Sequence, residues 1–146
     1  MSDNKVNTEG FIGRELFDHK TSKLNRECID VVTADLRSSD NAHHKYKVIV
    51  KPFIQCRSEN DGVDESPVEI CELNFQNGGL REVGANGITE QALIAVVLDR
   101  LRSFNDGQFR CRENSVAITK FEEGLMWLEK RANDRAARGV EGARVQ

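Results

Sequence analysis

Residues 89–139 read TEQALIAVVLDRLRSFNDGQFRCRENSVAITKFEEGLMWLEKRANDRAARG, and their spacing decides the fold. Thr89 offers a side-chain cap to a helix start, and Glu90 follows in the first turn, where negative charge suits the helix dipole. The spacing predicts a first helix from about Glu90 to Phe104. Its apolar residues Leu93, Ile94, Val96, Val97, Leu98, Leu101 and Phe104 cover more than the one stripe a surface helix needs. Either this helix is central or part of it is buried against another subunit. Asn105-Asp106-Gly107 breaks it, and a second helix is predicted from about Arg112 to Arg138. There Ile118, Phe121, Leu125, Leu128 and Ala132 recur three and four apart, a seam of coiled-coil type. Two helices joined by so short a link fold back as an antiparallel hairpin. Gly139 stops the second helix, and the chain trails off as a short tail.

Upstream the period changes to that of strands. CIDVVTADL from Cys28 is β-branched, and Lys45, Lys47 and Lys51 alternate with Tyr46, Val48 and Val50, one face wet and one dry. Between Gln55 and Pro67, CRSENDGVDES reads as an exposed, mobile acidic turn. Val68 to Gln76 places Cys71, Leu73 and Phe75 on one face. Asn77-Gly78-Gly79 then supplies a tight hairpin turn, with Leu80 to Val83 expected as the returning strand. Residues 1–26 are polar apart from Phe11, Ile12, Leu16 and Phe17, and read as a flexible arm with room for one short helix. The predicted architecture is α+β: an arm at 1–26, a small antiparallel β-sheet at 27–84, and a long antiparallel helical hairpin at 85–146.

The 146 residues carry a formal charge of −3, enough chain for one ordinary domain or one domain with an appendage and too little for a barrel enzyme. The balance is uneven. Residues 99–146 hold ten Lys and Arg against eight Asp and Glu, and eight of the thirteen arginines. That excess is too small for a duplex-binding surface, which neutralises several phosphates at once, and suits a small anionic ligand better. Cys28, Cys56, Cys71 and Cys111 form no Cys-x-x-Cys pair, so they read as free thiols in a reducing cytosol. No apolar run approaches a membrane span, and MSDNKVNTEG is no signal peptide, so the protein is expected to stay in the cytoplasm where it is made.

No hydrolytic or metal centre is legible. His43 and His44 are adjacent, so in a strand they point to opposite faces, and with His19 they read as structural. NGG and GANG match no phosphate-binding loop and read as turns. The bend is richer: Phe104, Phe109, Arg110, Arg112, Glu113 and Asn114 combine aromatic faces, guanidinium groups and an amide, the parts of a nucleotide pocket. The same residues also suit a structural role, two core phenylalanines plugging the open end of the hairpin among solvated arginines. Arg131, Arg135 and Arg138 close the last helix, where cations suit the dipole without any ligand.

The run from Phe75 to Gly142, with FQNG, the NGIT helix start, RCREN, EEGLMWL and DRAARGVEG at matching spacing, resembles the C-terminal hairpin shared by phage Thoeris anti-defence sponges and their smaller anti-CBASS relatives. AHHKYKV at 42–48 is similar to the small sheet domain of the Thoeris type, whereas residues 51–67 do not align with it. The resemblance implies a non-enzymatic protein without cofactor that binds glycocyclic ADP-ribose signals in the infected host's cytoplasm and withholds them from the Thoeris effector. It also implies separate sites, in several members, for cyclic di- or trinucleotides of CBASS pathways. It assigns ligand contacts to Phe104 for stacking, Asn114, Arg131 and Arg135, with Arg81 as an addition, and an assembly of six chains built as a trimer of dimers.

Helix geometry adds a constraint. At about 1.5 Å per residue, Asn114 and Arg131 lie roughly 25 Å apart along one helix, beyond the reach of one compact nucleotide. They share a ligand only across a subunit boundary, with helices antiparallel. Two other classes of function stand beside the sponge. An enzyme cleaving such messengers, of phosphodiesterase type, lacks a visible nucleophile with a base beside it. A structural or DNA-associated phage protein is disfavoured, in its DNA form, by the net charge.

Overall fold

The computed structural model describes residues 5–8, 11–53, 62 and 66–139. The expected acidic turn falls largely outside these residues, as does the expected tail at 140–146. The chain divides into two compact units, Met1–Asn74 and Phe75–Gln146, and the architecture is α+β.

The first unit is a five-stranded antiparallel sheet in sequential order, β1 (Lys5–Thr8), β2 (Phe11–Leu16), β3 (Ile29–Thr33), β4 (Lys45–Val50) and β5 (Glu69–Asn74), with helix α1 (Lys23–Cys28) between β2 and β3. The β-branched run of β3 pairs with β4 through Val31 opposite Val48 and Thr33 opposite Tyr46. Val32, Thr33 and Cys28 are buried. Burial of Thr33 is tolerated because its hydroxyl accepts from the Arg14 backbone N–H at 2.8 Å.

Three elements differ from the sequence expectation, the first being β1, which lies inside the expected arm and pairs with β2. Residues 11–16, inside the expected arm, form β2 and pair with β1 on one side and β3 on the other. The reason is a long-range fit: Gly13 runs so close to Thr33 that any Cβ there would collide with its carbonyl oxygen, a contact no local pattern announces. Leu80–Val83, expected as a returning strand, is instead the helical turn α2. The Asn77-Gly78-Gly79 turn therefore opens a loop and not a hairpin.

That loop starts the second unit and is closed by side chains. The Gln76 amide donates to the carbonyls of Gly78 (3.2 Å) and Gly84 (2.8 Å) and accepts from the Asn86 N–H (2.8 Å). Asn86 in turn donates to Asn77 O at 2.7 Å and accepts from Asn77 N–H at 2.8 Å. The clasp encloses the α2 turn, whose own backbone bonds run from Glu82 and Val83 N–H to Gly79 O, with Phe75 alongside Ile88. It delivers the chain to Thr89, whose hydroxyl caps α3 (Glu90–Asn105) by accepting from Ala92 N–H at 3.2 Å. A bend leads to α4 (Arg112–Ala137). Gly139, at φ 71°, supplies the left-handed residue that ends it.

Candidate functional site

Apart from Arg81 on α2, the residues singled out in the second unit gather at the α3–α4 bend and along the C-terminal half of α4. At the bend, Phe104 in the last turn of α3 meets Phe109 edge to face, with ring centroids 6.2 Å apart. The Arg100 guanidinium lies 4.9 Å from the Phe104 centroid, a cation over the aromatic face. Phe109 is 64% exposed and Phe104 is half-buried, so the bend offers an open aromatic surface edged by cations.

Asn105, legible in the sequence only as part of a helix break, fastens this end. Its Nδ2 donates to Ser115 Oγ at 2.9 Å and its Oδ1 accepts from Cys111 N–H at 3.4 Å. Cys111 then caps α4, its Sγ accepting from Asn114 N–H at 3.4 Å. Asn114 follows in the first turn, with Nδ2 near the Phe109 carbonyl at 3.5 Å. Phe104 and Asn114 are thus brought to one place by an asparagine-buttressed bend.

The far end of α4 carries a shallow groove of about 290 Å³ lined by Trp127, Lys130, Arg131, Asp134 and Arg138. Lys130 Nζ pairs with Asp134 Oδ2 at 2.6 Å, and Arg138 Nε donates to the Asp134 carbonyl at 3.4 Å. Arg131 is exposed in this groove, whereas Arg135 sits half-buried and outside its lining. Three cations and one carboxylate line it, beside an apolar wall, Trp127, that is 71% exposed. Trp127 is the chain's one tryptophan and stands off the coiled-coil seam, the signal that could have singled it out. Arg81 stands exposed on α2 and is not part of the groove lining.

The histidines serve local structure. His19 Nε2 lies 2.8 Å from Ile29 O, His43 Nδ1 2.9 Å from Asp35 O, and His44 Nε2 3.0 Å from Asp40 Oδ2. The N–H of Ala42 stabilises the Asp40 carboxylate and, with His44, holds it below the usual carboxylate range. Among the described residues no group of three or more His, Cys, Asp and Glu gathers as a metal ion requires, and no described helix is long and apolar enough to cross a membrane.

The bend, and the groove as far as Arg131, lie in a segment with known relatives. Residues 70–132 match the family model described as Acb2/Tad1, hairpin domain. Over 74 residues the chain is 53% identical to Thoeris anti-defense 1 of Bacillus phage SBSphiJ7, a match covering 51% of this chain and 52% of that protein. The chain thus spans about half the length of this curated relative.

Proposed function

We propose, from the match of residues 70–132 to the Acb2/Tad1 hairpin domain model, that the chain is a phage anti-defence protein that sequesters cyclic ADP-ribose-type immune messengers. The proposal extends to withholding these messengers from a Thoeris effector in the infected host's cytoplasm, without breaking a bond. The name of its relative, Thoeris anti-defense 1, supports the same reading.

The observation that carries the proposal is the division of parts on α4. A stacking surface and an amide stand at the N-terminal end, in Phe104 and Asn114. A cationic groove with an apolar wall stands at the C-terminal end, in Arg131 with Trp127. Each end is half of a nucleotide pocket: stacking contributes about 1 to 3 kcal/mol per base, and guanidinium groups supply charge-assisted bonds to a pyrophosphate. Seventeen residues of helix separate them, roughly 25 Å, so the halves complete one another between protomers with α4 helices antiparallel. Arg135 joins the groove half, and Arg81 is a further contact. The assembly we propose is a homo-hexamer, a trimer of dimers, which accounts for the exposed Val96, Val116, Met126 and Trp127. Cyclic di- or trinucleotides of CBASS pathways are second ligands in this reading.

The test is calorimetric titration against a panel of cyclic ADP-ribose isomers and cyclic oligonucleotides, followed by mass spectrometry of ligand released on denaturation. A sponge returns stoichiometric, unaltered ligand. Turnover of the messenger, or indifference to every nucleotide in the panel, defeats the reading.

A further inference from the structure

We infer that Gln76 and Asn86 are positioning residues for Arg81: their side-chain clasp holds the α2 turn, and with it the guanidinium that α2 offers to a ligand. The turn cannot hold itself. A helix of four residues is far below the length at which helix forms unaided. Burial does not hold it either, since its apolar residues Leu80 and Val83 are 61% and 50% exposed. Gly78 at φ 95° and Gly84 at φ 71° flank it, and glycine is the residue that gains most freedom when a turn opens.

What restrains α2 is a set of five hydrogen bonds made by two side chains. Gln76 ties the ends of the turn together, donating to the Gly78 carbonyl before it and to the Gly84 carbonyl after it. Asn86 fixes Gln76 through its own N–H and exchanges two bonds with the Asn77 backbone. A turn so held adds little packing of its own; what it carries is Arg81. That residue is the one cation of α2, it is exposed, and among the described residues none bonds to its side chain. A guanidinium already in place forfeits less freedom on meeting an anion, so restraint of α2 becomes affinity for a phosphate-bearing ligand.

The inference rests on the sponge reading, in which Arg81 is a contact, and names the residues that make that contact effective. Gln76 and Asn86 act through Arg81.

Double-mutant cycles in the full chain, titrated with glycocyclic ADP-ribose, separate this role from a general structural one. Gln76→Ala should weaken binding at least about fivefold on the parent background. On Arg81→Ala, where the positioned group is already gone, the same change should cost less than about twofold. On Asn105→Ala, at the bend, it should cost the full factor again. Asn86→Ala should repeat the pattern, and circular dichroism reports helix content in every variant. Equal losses on the parent and Arg81→Ala backgrounds overturn the inference. So does parental affinity in Arg81→Ala, or in folded Gln76→Ala and Asn86→Ala. Brief trypsin treatment needs no nucleotide: cleavage after Arg81, relative to the chain's other basic residues, should be about tenfold faster in Gln76→Ala. An unchanged rate also overturns the inference. If the parent takes up no nucleotide while Gln76→Ala is cut faster after Arg81, the sponge reading fails and the clasp's hold on Arg81 stands.

Discussion

Asn105 Nδ2 donates to Ser115 Oγ at 2.9 Å, binding the last residue of α3 to the first turn of α4. With its Oδ1 on the Cys111 N–H, one side chain fixes both strands of the bend on which Phe104 and Asn114 are mounted. Asn105→Ala is expected to lower unfolding free energy by about 1 to 2 kcal/mol, since two modest hydrogen bonds are lost. It should also weaken ligand binding without touching the ligand. Urea denaturation and titration of the same sample check both effects.

Gly87 is held against the backbone of Phe75 and Gln76, with the Gln76 nitrogen 2.6 Å from where a Cβ would stand. Gly87→Ala therefore forces open the Gln76–Asn86 clasp. A loss of about 1 to 3 kcal/mol is expected, as for other overpacked sites, measured as a lowered thermal midpoint.

Acid sensitivity in the sheet is expected to follow Asp30. Partial burial pushes its carboxyl upward, but hydrogen bonds and charge from Lys20 (2.6 Å) and Lys51 (2.9 Å) outweigh that and hold it below its ordinary value of 3.8. A carboxyl with a depressed folded pKa contributes stability that is complete above the unfolded pKa and is lost as pH falls through the folded one. Asp30→Asn should therefore be less stable than the parent near neutrality, and the gap should close as pH drops below about 4. Denaturation curves across that range show whether it does.

The single tryptophan of the chain, Trp127, is exposed, and the proposed assembly would cover it. Its emission is expected to move to shorter wavelength as protein concentration rises through the range in which the chains assemble. An emission maximum that ignores concentration while sedimentation shows assembly would place Trp127 away from the contact.

The hairpin was legible because its signals are local. Thr89, the Asn105-Asp106-Gly107 break and Gly139 act within a turn of the helix ends they define, and α3 and α4 begin and end within a residue or so of their expected bounds. Leu80–Val83 was not legible, since four residues are too few to show a period and the outcome depends on Gln76 reaching Gly84 and Asn86. β2 was hidden for a similar reason, because Gly13 answers to Thr33, twenty residues away. Among candidate site residues, the separation of Asn114 from Arg131 followed from helix rise alone. That Arg100 covers a face of Phe104, and that Cys111 supplies a helix cap through sulfur, depended on side-chain placements that spacing does not specify.

In the proposed assembly each pocket takes its two halves from different chains, and subunit mixing probes that division without relying on any other assumption. Asn114→Ala and Arg131→Ala proteins are each expected to lose cyclic ADP-ribose binding while keeping their assembly. When the two are mixed and allowed to exchange subunits, a mixed dimer combines an intact Asn114 from one chain with an intact Arg131 from the other in one of its two pockets. Random exchange should then restore about a quarter of the parent's binding capacity, at parental affinity. Mixtures that exchange subunits yet recover no binding would contradict the shared pocket.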